Sequence, residues 1–499
     1  MRKALILLFA ALALVLAASC TTKQVAETNA LVDPIRIETG YISGTLIGDV
    51  GKEVRAYRGI PYAAPPVGDL RWKAPQSAAP WLGIRECTAF AKSSPQPTVP
   101  VDLSDMPQSE DCLYLNVLTP AKKASDSLPV MVWLHGGGYT MGSGSSPVYN
   151  WPRLPQNGVV LVTVNMRLGT LGLLAHPLLS KESPKGISGN YHFLDMIAAL
   201  EWVQKNIAAF GGDAQNVTIF GESGGGAKVS CLMASPLAKG LFHRAIFESG
   251  AAGGFSPGKP MKDLESMGEK FFAKLGANKE ADPLKAARAL PPAKILEAEA
   301  GLSKDLKTTE DLWDSAIDDN FLTDLPARIF REGKQHPVPV ITSANLGELM
   351  GPGMILMPFI IPDYVNILNG AKKAGQKGFA CIFDQVPSRW RHEGCVSFHA
   401  LELGYVFGDW DGSTNWWSMA WFLAKASGAK TPDPGLTEAD RKVSETMMAM
   451  WAQFARTGDP HVTGLTAWPA YEAAADHYLY IAEPPQIKQG FSKVAQKTP

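Results

Sequence analysis

Phe210-Gly211-Gly212-Asp213-Ala214-Gln215-Asn216-Val217-Thr218-Ile219-Phe220-Gly221-Glu222-Ser223-Gly224-Gly225-Gly226 is the stretch that decides the fold of this 499-residue chain. Val217-Thr218-Ile219-Phe220 is uncharged, β-branched and aromatic, which suits a strand buried on both faces of a parallel sheet. Gly221-Glu222-Ser223-Gly224-Gly225 follows at once and fits G-x-S-x-G. Its glycines let the backbone turn sharply from strand to helix without Cβ clashes. Such a turn holds Ser223 Oγ up at the strand's carboxyl end, at the foot of the next helix. The apolar residues 229–233 supply that helix. The five-residue pattern alone also fits a plain Gly-Ser loop; the strand before and the helix after favour a nucleophile elbow. A serine hydroxyl is a weak nucleophile, so the turn carries chemistry only if a base and an oxyanion site lie elsewhere.

Working outward, uncharged strands recur with helices between them. Val130-Met131-Val132-Trp133-Leu134 runs into His135-Gly136-Gly137-Gly138-Tyr139. Three successive glycines let backbone N–H groups approach a ligand, as in an HGGG-type oxyanion loop. Gly137, Gly138 and Gly224 are the expected donors, and such donors act on charge as it develops on a carbonyl oxygen. Residues 159–164, 245–248, 338–342 and 379–383 read as further strands. Between them, Phe193, Ile197, Leu200, Val203 and Ile207 recur at helical spacing with one face for the sheet. Arg167 and Asp195 flank this unit and are expected to pair. The pattern predicts an α/β fold: one large, mostly parallel central sheet flanked by helices.

The rest of the chain decorates that sheet. Residues 35–55 alternate and carry four glycines, which reads as N-terminal antiparallel strands and hairpins. Residues 57–68 read as a rigid, Pro-rich loop, and 113–118 as a strand. Residues 258–304 are rich in Lys, Glu, Ala and Leu and break at Pro283, Pro291 and Pro292. They read as helical cap insertions over the sheet edge. Residues 350–370 form a second cap segment, whose Met354, Leu356, Met357, Phe359 and Ile360 either line a pocket or fill the cap's own core. Trp410, Trp416, Trp417 and Trp421 read mainly as packing. A last helix is expected over 444–456, with Ser444 as its N-cap.

The bulk numbers exclude some partners. Lys and Arg number 47 against 48 Asp and Glu, a net charge of −1, so nothing favours nucleic acid. The N-terminus reads as a targeting segment: Arg2 and Lys3, then an apolar run over 4–18 too short to span a membrane stably. It ends Leu16-Ala17-Ala18-Ser19-Cys20, similar to a bacterial lipobox. The expected division is a signal peptide at 1–19, a lipidated tether at 20–34 with lipid on Cys20, and a single catalytic domain at 35–499. Ordinary release after Ser19 is the alternative. Membrane contact would come only through that anchor, with the domain facing the periplasm or cell exterior. In an oxidising compartment cysteines can pair. Of six cysteines, Cys381 and Cys395 are candidates for a bridge, with Cys231 a buried thiol.

A serine nucleophile needs an imidazole, and the imidazole a carboxylate behind it, in the order Ser, Asp/Glu, His in this architecture. Glu348 follows the 338–342 strand in Asn345-Leu346-Gly347-Glu348. His399 follows the 379–383 strand at longer range, with His392 its main rival. Asp324 and Asp363 are weaker carboxylates because neither closes a strand.

At this point the sequence resembles the type-B carboxylesterases, the family of cholinesterases and bacterial para-nitrobenzyl-type esterases, with an α/β-hydrolase fold. Residues 210–225 match the family's serine signature. Glu110-Asp111-Cys112-Leu113-Tyr114-Leu115-Asn116-Val117-Leu118-Thr119-Pro120 matches its second signature. Asn345-x-x-Glu348 and His399 through Gly408 resemble the loops carrying its acid and its histidine, which favours His399 over His392. The resemblance implies a Cys87–Cys112 disulfide, an Arg58–Glu110 ion pair, a Ser223-His399-Glu348 triad and hydrolysis of small-molecule carboxylic esters. No H-E-x-x-H, paired C-x-x-C, Walker or dinucleotide pattern occurs, so no metal or cofactor is expected. Two positions depart from it: Gly224 where Ala is frequent, and Ala400 where Gly is usual. No Trp lies between Cys87 and Cys112, so the choline-binding aromatic has no match. A non-catalytic surface module and an acyl transferase or amidase are the competing readings.

Overall fold

The computed structural model describes residues 31–97, 106–251, 253, 257–308, 311–351 and 354–496. Its centre is an 11-stranded sheet. In chain order the strands are β1 (Thr45–Ile47), β2 (Val54–Pro61), β3 (Tyr114–Thr119), β4 (Leu128–Leu134), β5 (Val160–Val164), β6 (Gly212–Glu222), β7 (Arg244–Glu248), β8 (Val340–Asn345), β9 (Gly378–Phe383), β10 (His477–Ile481) and β11 (Gln486–Gln489). In space they run β1-β2-β3-β5-β4-β6-β7-β8-β9-β10-β11. Every pairing from β5 across to β10 is parallel. The pairs β1/β2, β2/β3, β3/β5 and β10/β11 are antiparallel. This is the mostly parallel sheet with N-terminal antiparallel strands that the sequence predicts.

The central strands are apolar on both faces because both faces are covered. On β4, Val130, Val132 and Leu134 join one apolar core while Met131 and Trp133 join the other. Helices α2 (Tyr191–Asn206) and α3 (Gly224–Ala234) cover the first face, with Phe193, Leu200, Val203, Val229 and Leu232 buried against it. Helix α8 (Glu438–Thr457) covers the second with Met447, Trp451 and Phe454. There Trp133 meets Phe220 at 4.8 Å and Phe407 at 4.9 Å between ring centroids, both edge to face, a favoured aromatic geometry. Helices α4 (Met261–Leu275), α5 (Pro283–Ala289) and α6 (Pro292–Leu306) occupy the first cap segment, and α6 packs on the short α1 (Gly169–Leu173). Helix α7 (Met357–Lys373) occupies most of the second, with Met357 and Ile360 buried and Met354 and Phe359 exposed.

Several expectations are corrected. Residues 57–61 are not loop but the second half of β2, and the run reaches its Pro only at the strand end. The last helix starts earlier than Ser444: Thr437 caps it in a box with Asp440, and Ser444 lies buried within, donating to Tyr405 O at 2.8 Å. Cys87, Cys112, Cys381 and Cys395 are all free thiols, as is Cys231. Cys395 Sγ is turned to the carbonyls of Val396 and Ala424, and Cys381 points into the core from the middle of β9. Burial, with the Asp195 carboxylate adding to it, raises the Cys112 thiol, and burial raises the Cys87 thiol to about 11. Arg58 does not pair with Glu110. Glu110 is held in a fork by Arg71, at 2.6 Å through Nε and 2.6 Å through Nη2, and Arg71 also donates to Leu290 O. The Arg58 guanidinium instead lies 4.7 Å from the centre of the Phe90 ring. Cys20, the signal peptide and most of the tether lie outside the described residues. No helix among the described residues is long and apolar enough to cross a membrane.

Candidate active site

Parallel strands in register end level, so their carboxyl-end loops meet. Leu134 on β4 lies beside Gly221 on β6, Glu222 beside Glu248 on β7, and Glu248 beside Ser343 on β8. Ser223 follows with φ +57 and ψ −123, a conformation that costs an L-residue energy and persists where the surroundings enforce it. Its N–H donates to Glu248 O at 2.8 Å. Glycines make the enforcement possible: a Cβ on Gly225 would stand 2.1 Å from Leu134 O, and one on Gly250 would stand 2.0 Å from Ser223 O.

The glycine loop after β4 lies against this elbow. A Cβ on Gly224 would fall 2.3 Å from Gly138 O and 2.6 Å from Gly138 N, so the two backbones are in contact. Gly137 and Gly138 have φ of +86 and +60, which glycine adopts without strain. The three expected amide donors are therefore neighbours.

The imidazole and its carboxylate also meet. His399 Nδ1 is 2.7 Å from Glu348 Oε2, and Glu348 Oε1 accepts from Asn345 N–H at 2.6 Å. Both carboxylate oxygens are thus occupied, and the ring is oriented with Nε2 free. That Nε2 has no hydrogen-bond partner. It lies 3.2 Å from Oε1 of Glu222, the residue before the serine. His399 and Ser223 are not hydrogen-bonded to each other; the carboxylate of Glu222 occupies the near position. His392 is exposed on a short helix, and Asp324 pairs with Arg328 at the surface. Arg167 and Asp195 form a buried fork, at 2.8 Å through Nε and 2.6 Å through Nη2, beneath the loop that leads to α1.

Carboxylates surround the imidazole. Burial alone would lower the His399 pKa, but the charges of Glu222 and Glu348 outweigh it and raise it to about 9. Burial pushes Glu222 well above the usual carboxylate range. Burial also raises Glu248 to about 8, where its Oε1 accepts from Trp451 Nε1 at 2.6 Å. Burial and the Glu348 charge raise Glu402 to about 7, although Ser249 Oγ and Asn345 Nδ2 both donate to it. Sequence reasoning gave none of Glu222, Glu248, Glu402, Ser249 or Lys228 a role. Glu222 stood inside the quoted motif, at its variable position; Glu248 and Ser249 reach the site through the register of β6, β7 and β8, Glu402 through the fold of the His399 loop, and Lys228 from α3.

A parallel-centred sheet with a glycine-flanked serine turn, a glycine loop and a carboxylate-bound imidazole at its carboxyl edge defines an α/β-hydrolase-like fold. Residues 32–358 and 357–498 match the Carboxylesterase family, and the chain belongs to it. It is 33% identical over 482 residues to the para-nitrobenzyl esterase of Bacillus subtilis (strain 168), covering 88% of this chain and 92% of that one. It is 40% identical over 307 residues to the fumonisin B1 esterase of Sphingopyxis macrogoltabida, covering 61% of this chain and 55% of that one. A solved PNB esterase structure superposes with a TM-score of 0.78 at 31% identity, over 93% of this chain and 98% of that chain. The protein is a carboxylic-ester hydrolase acting on small-molecule esters.

Proposed function

We propose that ester cleavage runs through Ser223, His399 and Glu348 with an acyl-enzyme intermediate. The observation that carries this reading is the Glu348–His399 contact at 2.7 Å, which leaves Nε2 unpartnered beside the serine turn. His399 Nε2 takes the Ser223 proton as Oγ bonds to the ester carbonyl carbon. The carbonyl oxygen, now anionic, is held by the amides of Gly137, Gly138 and Gly224. The tetrahedral centre collapses, the C–O bond to the alcohol breaks, and the imidazolium returns its proton to the leaving alkoxide. Water then attacks the acyl group with His399 again as base, releasing acid and free Ser223. Glu348 holds the ring through Nδ1 and stabilises the imidazolium that forms. For this cycle Ser223 Oγ must come within hydrogen-bond distance of Nε2, which Glu222 Oε1 approaches to 3.2 Å. The α4–α6 and α7 segments shape the substrate side of the site.

Ser223→Ala should abolish hydrolysis of para-nitrobenzyl esters, the substrate class named for the Bacillus relative, with the fold intact by circular dichroism. An organophosphate should add one covalent group to the parent and none to the variant. Turnover in Ser223→Ala near the parent rate would overturn the reading. We further propose that the chain is exported and lipidated on Cys20. An alkynyl fatty acid fed to expressing cells should label the chain and leave Cys20→Ser unlabelled; equal labelling of both would overturn that assignment.

A further inference from the structure

Lys228 is fully buried on α3, one turn beyond Gly224. Its Nζ donates to His135 O at 2.7 Å. Burial of an amine in an apolar core is costly, and an apolar side chain would fill the same slot at lower cost. What the amine gains is a hold on the first peptide of the glycine loop. A trans peptide is planar, so the direction of a C=O fixes that of the N–H on the same plane. Holding His135 O therefore fixes the Gly136 N–H. The next plane is held as well: His135 Nδ1 lies 2.9 Å from Gly136 O, and that carbonyl shares its plane with Gly137 N–H. Glycines at 136, 137 and 138 have no side chains to restrict their dihedrals, so polar anchors do the work that sterics does elsewhere.

We infer that Lys228 is a positioning residue for the oxyanion site: by tying His135 O to α3 it holds the glycine-loop amides in line with Gly224 N–H. The inference rests on the proposed use of Gly137, Gly138 and Gly224 as donors. Lys228 sits on the same helix whose first residue is Gly224, so one rigid element carries one donor and aims the others. The groups facing it are the Glu222 carboxylate, which attracts its charge, and the rings of His135 and His192, whose protonation it disfavours. His135 Nε2 and His192 Nε2 are themselves unpartnered, so among the described residues the His135 carbonyl is the only acceptor of a hydrogen bond from the amine.

Lys228→Met tests this, because it keeps the length and apolar stem and removes the donor. Displacing a donor by about an ångström costs on the order of 100-fold, so kcat should fall by about 10- to 100-fold with KM within about twofold. Affinity for a trifluoromethyl ketone, which Ser223 Oγ adds to at the carbonyl carbon to form a hemiketal whose oxyanion lies on the loop, should weaken by the same factor. Affinity for the product alcohol should not move. The urea midpoint should stay at or above that of the parent. A purely structural lysine would lower the midpoint and leave the kcat of the folded fraction intact; that result overturns the inference, as does unchanged ketone affinity. If Lys228→Met fails to fold, Lys228→Leu, which also removes the donor, is read the same way. Loss of activity in step with loss of folded protein in both would also overturn it. None of these results touches the Ser223→Ala test.

Discussion

Glu222→Gln removes the ionisable carboxyl 3.2 Å from His399 Nε2 and keeps the shape of the side chain. Both residues are buried, so solvent screens the interaction little. At an effective dielectric of about 20, unit charges at that distance attract by about 5 kcal/mol, which corresponds to between three and four pKa units. Burial opposes that pull, and the balance of all neighbours carries His399 to about 9. Glu222 is itself pushed up by burial, so the two groups titrate as a pair, and a measured value belongs to the pair. The sign follows from chemistry. A general base must be neutral, so parent activity rises with pH through the raised value and is small well below it. Without the Glu222 carboxylate the imidazole loses its proton more easily, and the acid limb of kcat/KM moves down toward the ordinary histidine value or below, with roughly three to four units as the ceiling set by that attraction. Rates on a para-nitrobenzyl ester, taken from about pH 5 to 10, give both limbs. If parent and variant share one acid limb, Glu222 does not act on the imidazole. A parent limb at the ordinary histidine value would remove the electrostatic argument altogether.

Other consequences follow from the same geometry. Gly224→Ala places a methyl 2.3 Å from Gly138 O; the glycine loop must move, and kcat/KM should fall on the order of 100-fold, while an unchanged value would mean the loop yields freely. Arg71→Met strips Glu110 of its buried partner, with side chains only 5% and 11% exposed, and should cost about 3–5 kcal/mol in urea unfolding. Arg58→Met loses a contact with Phe90 and should cost about 1 kcal/mol; the reverse order would refute the Arg71 pairing. Denatured without reductant, the chain should show thiols at Cys87, Cys112, Cys231, Cys381 and Cys395 by alkylation and peptide mapping; a disulfide-linked peptide pair would refute this.

The parts legible in the sequence are those whose cause is local. Val217-Thr218-Ile219-Phe220 and Val130-Met131-Val132-Trp133-Leu134 lack any polar alternation because both faces of their strands are covered, and that shows in the residues themselves. The elbow and the glycine loop announce themselves because only glycine tolerates such close backbone approach. Glu348 and His399 were found by chain order and motif, and the structure puts them in contact. The misreadings share another cause: each needed a partner distant in sequence. Arg58 and Arg71 flank the same Pro-rich run, and spacing does not say which of them reaches Glu110; the fork from Arg71, reinforced by the carbonyl of Leu290 more than 200 residues away, decides it. Helix α8 begins at its Thr437–Asp440 box because Asp440 also accepts from Tyr405, a residue outside the helix. Cysteine counting fails for a similar reason, since parity and compartment say nothing about where each sulfur points.

The carboxylate cluster is the extreme case. Glu222, Glu248 and Glu402 come from two strand ends and a loop, and only the level register of β6 and β7 and the fold of the His399 loop bring them together. In a single strand each is a charged residue after an apolar run, indistinguishable from a solvated strand end. Together they place several ionisable groups with raised pKa values around one imidazole. The proton affinity of the base is therefore a property of sheet register more than of any motif. A substitution that slips β7 against β6 by one residue would leave every motif residue in the chain and still change the pH at which the site works.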